Sequence, residues 1–134
     1  MFAKSTSEKD VGQKLIPLFA KHTPLPATTH FNASAEVKQY QVVLVNLADS
    51  TVAPATEAAP LERGKILAVA AYAGKTGESI SVYTHGTVNV HALELSAITS
   101  VAGKDAVGKV KELNKFASQA IFFDNAWVDT MYHV

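Results

Sequence analysis

The most chemically suggestive stretch of the sequence is a loop containing glycine and lysine, Gly103–Val110, which precedes an amphipathic segment. It has the glycine and lysine positions of a phosphate-binding loop, in which backbone amides at the start of a helix cradle a phosphate. Val110 stands where such a loop needs a Ser or Thr hydroxyl to hold the magnesium ion. The stretch therefore predicts a loop that enters an amphipathic helix rather than a nucleotide site.

The histidines are the other residues that suggest chemistry. His85 and His91 are six positions apart, which would place both on one face of a continuous strand, but we expect Gly86 to break that strand. Two imidazoles without a nearby third ligand make a poor zinc site, so solvent-facing histidines are favoured. Three further histidines lie in the N-terminal region and near the C-terminus: His22, His30 and His133.

Cysteine is absent, which excludes disulfides, thiolate metal sites and cysteine nucleophiles. No Gly-x-Ser-x-Gly motif of a serine hydrolase occurs, and the carboxylates are scattered. The sequence thus predicts no catalytic residue, no metal and no cofactor, and a protein that is not an enzyme. A small hydrolase that uses His85 or His91 stays open as an alternative.

Composition restricts the class of protein further. The 134 residues suffice for one domain, and the 12 Lys and Arg balance the 12 Asp and Glu. This neutrality offers no footprint for nucleic acid or an anionic membrane, and it favours self-association or a permanent partner. No apolar run reaches the length of a membrane span, and the N-terminus does not resemble a signal peptide, so we expect synthesis in a cytoplasm.

From residue 38 the sequence has the pattern of a β-rich body. Buried strands are predicted over Gln39–Leu47 and Gly64–Tyr72, and the second forms a hairpin with Ser79–Thr84 through a polar turn. A third successive strand over Thr87–Leu93 suggests a meander, whereas Thr51–Leu61 has the prolines of a loop or bulged edge. An amphipathic helix capped by Asp105 and a short strand at Ile121–Phe123 follow.

These elements predict an α+β, mostly β fold: a small meander or barrel-like body, residues 38–134, with one amphipathic helix in its C-terminal half. Residues 1–37 are predicted to be an extended N-terminal arm, flexible or ordered by a partner, because Pro24 and Pro26 favour irregular backbone over residues 22–35. The candidate partner contacts of the arm are apolar side chains that would otherwise face water: Leu15, Ile16, Leu18 and Phe19. Packing of the arm on its own domain is the alternative.

The segments Gly64–Ala71 and Ser79–Val88 resemble the head-decoration proteins of lambda-type tailed phages. That family has a glycine-initiated Ile-Leu-Ala-Val-Ala-Ala strand, a polar turn, a Thr-rich strand ending in an aromatic residue and a Gly-Thr step. The resemblance covers roughly residues 40–124, although Val88 replaces an aromatic residue and no Trp-Pro follows Leu93. The residues that carry the motif, and that we expect to be structural, are Gly64, Ile66, Leu67, Ala68, Tyr83 and Gly86.

The resemblance implies a structural virion protein, made late in infection in the host cytoplasm and located on the capsid exterior. It implies a homotrimer that binds the major capsid protein at three-fold sites of the expanded phage head and stabilises the capsid. It also implies an N-terminal arm that becomes ordered on the capsid, partly by adding a strand to the shell protein. A carbohydrate- or surface-binding β module of another structural protein is the alternative.

Overall fold

The computed structural model describes residues 17–21, 25–56, 63–115 and 121–125, and this part of the chain is mostly β-structure with one α-helix. Seven strands and the helix follow in chain order, with 3₁₀ turns at Val90–Ala92 and Thr99–Val101 before the helix. The elements are β1 (Phe19–Lys21), β2 (Ala27–Ala33), β3 (Val42–Asn46), β4 (Thr51–Pro54), β5 (Lys65–Ala70), β6 (Ser79–Asn89), α1 (Ala106–Asn114) and β7 (Ile121–Asp124).

Five of the strands close into a barrel, in the order β2, β4, β3, β5 and β6, with β6 returning to β2. The β2–β4 pair is parallel and the other four pairs are antiparallel. The barrel interior is filled mainly by small aliphatic side chains, which suit the narrow space inside few strands. The buried members of this inner core are Ala33, Val37, Val43, Val45, Val52, Ala68, Ala70, Ile80 and Val82. The predicted β-rich, barrel-like body is therefore confirmed.

A second core lies where the outer face of β3 and β5 packs against the C-terminal elements. The C-terminal half of β6 extends beyond the barrel and is flanked by β1, which is antiparallel to it, and by β7, which is parallel. The buried members of this outer core are Leu18, Val42, Ala55, Leu67, Val69, Val88, Val90, Ile98, Val101, Leu113, Ile121 and Phe123. Because β3 and β5 lie between two cores, they are apolar on both faces, as their sequences predict.

The prediction that Gly86 breaks the strand is wrong. Strand β6 runs without interruption over eleven residues, and Gly86 adopts φ 138° within it. Glycine tolerates this backbone conformation, so the strand can turn from the barrel into the second sheet without ending. The predicted meander of three separate strands is consequently one hairpin, β5–β6, whose second strand is unusually long.

The helix begins as predicted. The Asp105 carboxylate accepts a hydrogen bond from the Gly108 N–H at 2.8 Å, and Leu113 is fully buried in the outer core. Val107, in the first turn of α1, is exposed although it is apolar. At the other end, the Asn114 side chain donates to the Phe123 carbonyl at 3.1 Å and accepts from the Phe123 N–H at 3.0 Å. Within the described ranges, no helix is long and apolar enough to cross a bilayer.

The described part of residues 1–37 differs from the predicted arm. The irregular backbone expected around Pro24 and Pro26 gives way at Ala27–Ala33 to a strand that pairs with β6 over nearly its whole length. Ala33 and Val37 lie in the inner core. Long-range pairing with β6 outweighs the weak local preference, which favoured neither strand nor helix. The arm remains a prediction for residues 1–16, which lie outside the described residues.

Candidate functional site

Strand β5 carries three of the residues on which the resemblance to decoration proteins rests, and a fourth, Gly64, comes directly before it. Gly64 adopts φ 83° in the turn before the strand. Leu67 lies fully buried in the outer core and Ala68 fully buried in the inner core, while Ile66 is half-buried beside the inner core. The motif therefore encodes a strand that is covered on both faces, and a small residue fits the barrel interior at position 68.

The other two motif residues meet the N-terminal segment. The rings of Phe19 and Tyr83 pack edge to face, with centroids 4.9 Å apart and planes at 85°. A Cβ atom on Gly86 would lie only 2.6 Å from the Phe19 Cε1 atom. The bare glycine thus makes room for the aromatic ring of β1, and Phe19 covers the bend of β6.

Asn89, fully buried at the end of β6, fixes the chain where it enters β1. Its N–H donates to the Leu18 carbonyl at 2.7 Å, and its side-chain amide donates to the Pro17 carbonyl at 3.2 Å. The side-chain oxygen accepts from the His91 N–H at 3.1 Å. The Asn89 side chain therefore joins Pro17, before β1, to the 3₁₀ turn Val90–Ala92 after β6. Its polar character alone gave no reason to predict this role.

The predicted arm contacts divide at this anchor. Leu18 is 8% exposed and packs in the outer core, and Phe19 packs against the same core, so both serve the protein's own fold. Leu15 and Ile16 lie outside the described residues. As contacts with a partner, all four remain a prediction. Because Leu18 and Phe19 pack on their own domain, Leu15 and Ile16 are the stronger candidates for such contacts.

Three tyrosines form a patch on the body: Tyr40, Tyr72 and Tyr83. Burial raises the pKa of the Tyr83 hydroxyl, and the charges of the Tyr40 and Tyr72 hydroxyls raise it further. Tyr40 is held at φ 60° by hydrogen bonds of its N–H to the Ala70 carbonyl and of its carbonyl to the Glu94 N–H. Tyr72 is 64% exposed, and exposed tyrosine is a residue type enriched in protein–protein interfaces.

The histidines do not converge. His85 and His91 are both exposed, as expected of solvent-facing histidines, but His91 lies in a 3₁₀ turn rather than a strand. The His85 Nδ1 atom lies 3.0 Å from the Thr84 hydroxyl, and the His30 Nε2 atom lies 2.9 Å from the Ser81 hydroxyl. Among the residues that the structure describes, no group of three or more His, Asp or Glu side chains could hold a metal ion.

The glycine- and lysine-containing loop borders an open cleft of about 470 Å³ in front of α1. The Asp105 carboxylate occupies the helix N-terminus by accepting the Gly108 N–H, where a bound phosphate would otherwise lie. Lys104, Lys109 and His91 also line this cleft. The arrangement agrees with the prediction of a capped helix entrance rather than a nucleotide site.

The cleft makes the titration of His91 a test of the local geometry. Burial lowers the pKa of the His91 imidazole from its ordinary 6.5, and the Lys109 ammonium lowers it further. We expect Lys109→Gln to raise the pKa of His91 in an NMR titration and Lys111→Gln, on an exposed part of α1, to leave it unchanged. Equal titration curves in the wild type and Lys109→Gln would contradict the placement of Lys109.

The same shift has a consequence for stability. The folded protein binds fewer protons at His91 than the unfolded chain does, because the folded pKa is the lower one. The contribution of His91 to the free energy of unfolding is therefore present above pH 6.5 and is lost as the pH falls through the folded pKa.

Exposed apolar side chains occur on several elements of the body besides Tyr72: Leu25, Leu47, Val107 and Phe122. Of these four, only Phe122 lies between buried residues, Ile121 and Phe123 of β7. No protein-family model matches the sequence, and no curated protein matches it either.

Proposed function

We propose that this chain is a capsid-decoration protein, which binds the outside of an expanded phage head as a homotrimer at three-fold sites and cements the major capsid protein. One observation carries the proposal: the segment that resembles the decoration family, residues 64–88, forms the hairpin on which both cores are built. Gly86, the glycine of the Gly-Thr step, bends β6 beneath Phe19. α1 and β7 follow this hairpin, as a charged helix and a short closing apolar strand do in the family that the sequence resembles.

The N-terminal segment would provide the contacts that hold the protein on the capsid. Asn89, Leu18 and Phe19 fix β1 to the body, so the sixteen residues before Pro17 start from a rigid point. Leu15 and Ile16 come directly before that point, and we assign them the contacts with the shell protein. Three such segments in one trimer bind together, which raises the affinity far above that of one contact.

The physical gain is additional contact across subunit junctions of the shell. A ligand that binds only the assembled, expanded state stabilises that state by mass action, so rupture by internal DNA pressure must also break these contacts. A neutral protein suits this task, because many copies crowd on one surface without strong mutual repulsion. The exposed Tyr72 supplies the kind of side chain that such protein contacts use.

The test is co-sedimentation of the purified protein with expanded heads that lack a decoration protein and with unexpanded heads of the same shell protein. We expect saturable binding of a trimer to expanded heads and little binding to unexpanded ones. We expect the double variant Leu15→Asp, Ile16→Asp to bind roughly tenfold or more weakly, since buried apolar anchors dominate interface energies. The matched control, Ser7→Asp with Gln13→Asp, adds the same charge and should bind nearly as the wild type does.

Two results would contradict this proposal. One is a protein that stays monomeric and remains in the supernatant when the expanded heads sediment. The other is equal binding to expanded and unexpanded heads, because a cement for the mature shell has to distinguish the two.

A further inference from the structure

Strand β2 has an open edge within the otherwise closed barrel. It pairs with β6 from Ala27 to Asn32, but on its other side it pairs with β4 only at Asn32 and Ala33. Ala27, Thr28, Thr29 and His30 are all exposed. In the part of the chain that the structure describes, no strand pairs with the first half of β2 on this side, so its backbone edge is a template for another strand.

The hydrogen bonds of β2 identify the peptide groups on that edge. Asn32 donates its N–H to the Ser50 carbonyl on the β4 side at 3.1 Å, whereas Ala33 donates to the Glu78 carbonyl on the β6 side at 2.8 Å. Because successive peptide groups of a strand alternate in direction, those of Thr28 and His30 face away from β6. Thr29 lies midway between them and points its own peptide groups toward β6.

This edge is complementary to itself. If two copies of β2 lie antiparallel with Thr29 opposite Thr29, Thr28 of each copy lies opposite His30 of the other. Each of these two residue pairs then exchanges both of its backbone hydrogen bonds across a two-fold axis. Such an isologous contact is closed, so it joins two copies and stops.

Charge distribution also favours a second copy as the occupant. Exposed edges are commonly protected by charged side chains, yet no Lys, Arg, Asp or Glu occurs between Lys21 and Glu36. No like charges would therefore face one another across the axis, and the net charge of the whole chain is zero. A partner with a strongly charged strand would find no complementary charge on this edge.

We propose that the β2 edges of two copies pair antiparallel about Thr29. The inference goes beyond the proposed function, because it needs no capsid and adds a contact that the three-fold assembly does not require. A few backbone hydrogen bonds over a short edge make a weak contact, so the association grows with protein concentration. On a trimer, which carries three such edges, this contact would link neighbouring trimers.

Cysteine cross-linking tests the register directly, because the natural chain has no cysteine. Directly opposed residues that do not exchange hydrogen bonds have Cα atoms about 4.5 Å apart, which lies within the range of a disulfide. We expect Thr29→Cys to form a disulfide-linked dimer in a glutathione redox buffer. Thr76→Cys, in the exposed β5–β6 turn, is the matched control and should remain unlinked.

Charge reversal provides a second measurement that does not depend on oxidation. Thr29→Lys and Thr29→Glu alone should each lose the concentration-dependent association in sedimentation velocity, because like charges face across the axis. An equimolar mixture of the two variants should restore it. The same substitutions at Thr76 should behave as the wild type does, and circular dichroism of each variant checks that it is folded.

Three outcomes would overturn the inference. The first is no more cross-linking of Thr29→Cys than of Thr76→Cys, and the second is no recovery in the Lys and Glu mixture. The third is preferential cross-linking of Thr29→Cys to a Leu15→Cys chain, which would assign the edge to the N-terminal segment. All of these use purified protein, so none bears on binding to capsids.

Discussion

Gly86→Ala is expected to lower the free energy of unfolding by about 3 kcal/mol, which corresponds to a fall in Tm of about 10 °C. Two costs add. The backbone at φ 138° disfavours any residue with a side chain, and the new Cβ would lie 2.6 Å from the Phe19 ring. Because Phe19 also packs against Tyr83, the ring cannot move away without breaking that contact. Chemical denaturation of the purified protein measures the loss.

Gly77→Ala provides the matched control for this prediction. Gly77 also has a positive φ, 93°, but a Cβ there would meet nothing within 4 Å. Its substitution should cost only the backbone strain, about 1 kcal/mol. The steric part is isolated in a Phe19→Ala background, where Gly86→Ala should cost little more than Gly77→Ala does. An unchanged cost of Gly86→Ala in that background would show that the Phe19 contact is not the cause.

Asn89→Ala is expected to destabilise the protein by about 2–4 kcal/mol. The substitution leaves the Pro17 carbonyl and the His91 N–H without the partner that Asn89 supplies, and it opens a cavity at a fully buried position. Hydrogen exchange should also show faster exchange at β1, since the side chain holds the start of that strand. The free energy of unfolding from denaturant titration gives the size of the effect.

Asn46→Ala is the matched control for Asn89→Ala, because it removes an asparagine whose side-chain hydrogen bonds are exposed rather than buried. Asn46 also makes two side-chain hydrogen bonds, donating to Asp49 and accepting from the Ala48 N–H, but both are exposed to solvent. Water can replace these partners, so the cost should stay below about 1 kcal/mol. Similar losses for both variants would contradict the anchoring role of Asn89.

The Gly86→Ala and Asn89→Ala variants also separate fold from function. Gly86 and Asn89 both act on the docking of β1, the strand that follows residues 1–16 in the sequence. If the proposed function is correct, each variant should reduce capsid retention under stress more than its matched control does. A fully folded Asn89→Ala protein with loosened β1 would then bind expanded heads more weakly, because the arms no longer start from fixed points.

The sequence by itself determined the elements whose signal is local. Period-two and double-sided apolar patterns located β3, β5 and the first half of β6, and Asp105 identified the start of α1, because caps and alternation depend on near neighbours. Composition alone excluded disulfides and thiolate metal sites, and it gave the zero net charge. The resemblance to decoration proteins likewise rests on a local signal, because the residues of β5 and β6 that carry it lie in one continuous stretch of sequence.

Only the tertiary structure decided which distant segments meet. β2 is a strand because β6 pairs with it, although it is mostly polar and directly preceded by two prolines. Gly86 continues β6 rather than ending it, because β1 and β7 pair with the two edges of the part of β6 that follows the bend. Asn89 acquired its structural role from the Pro17 carbonyl, 72 residues earlier in the chain. Such pairings depend on three-dimensional proximity, which local propensity does not encode.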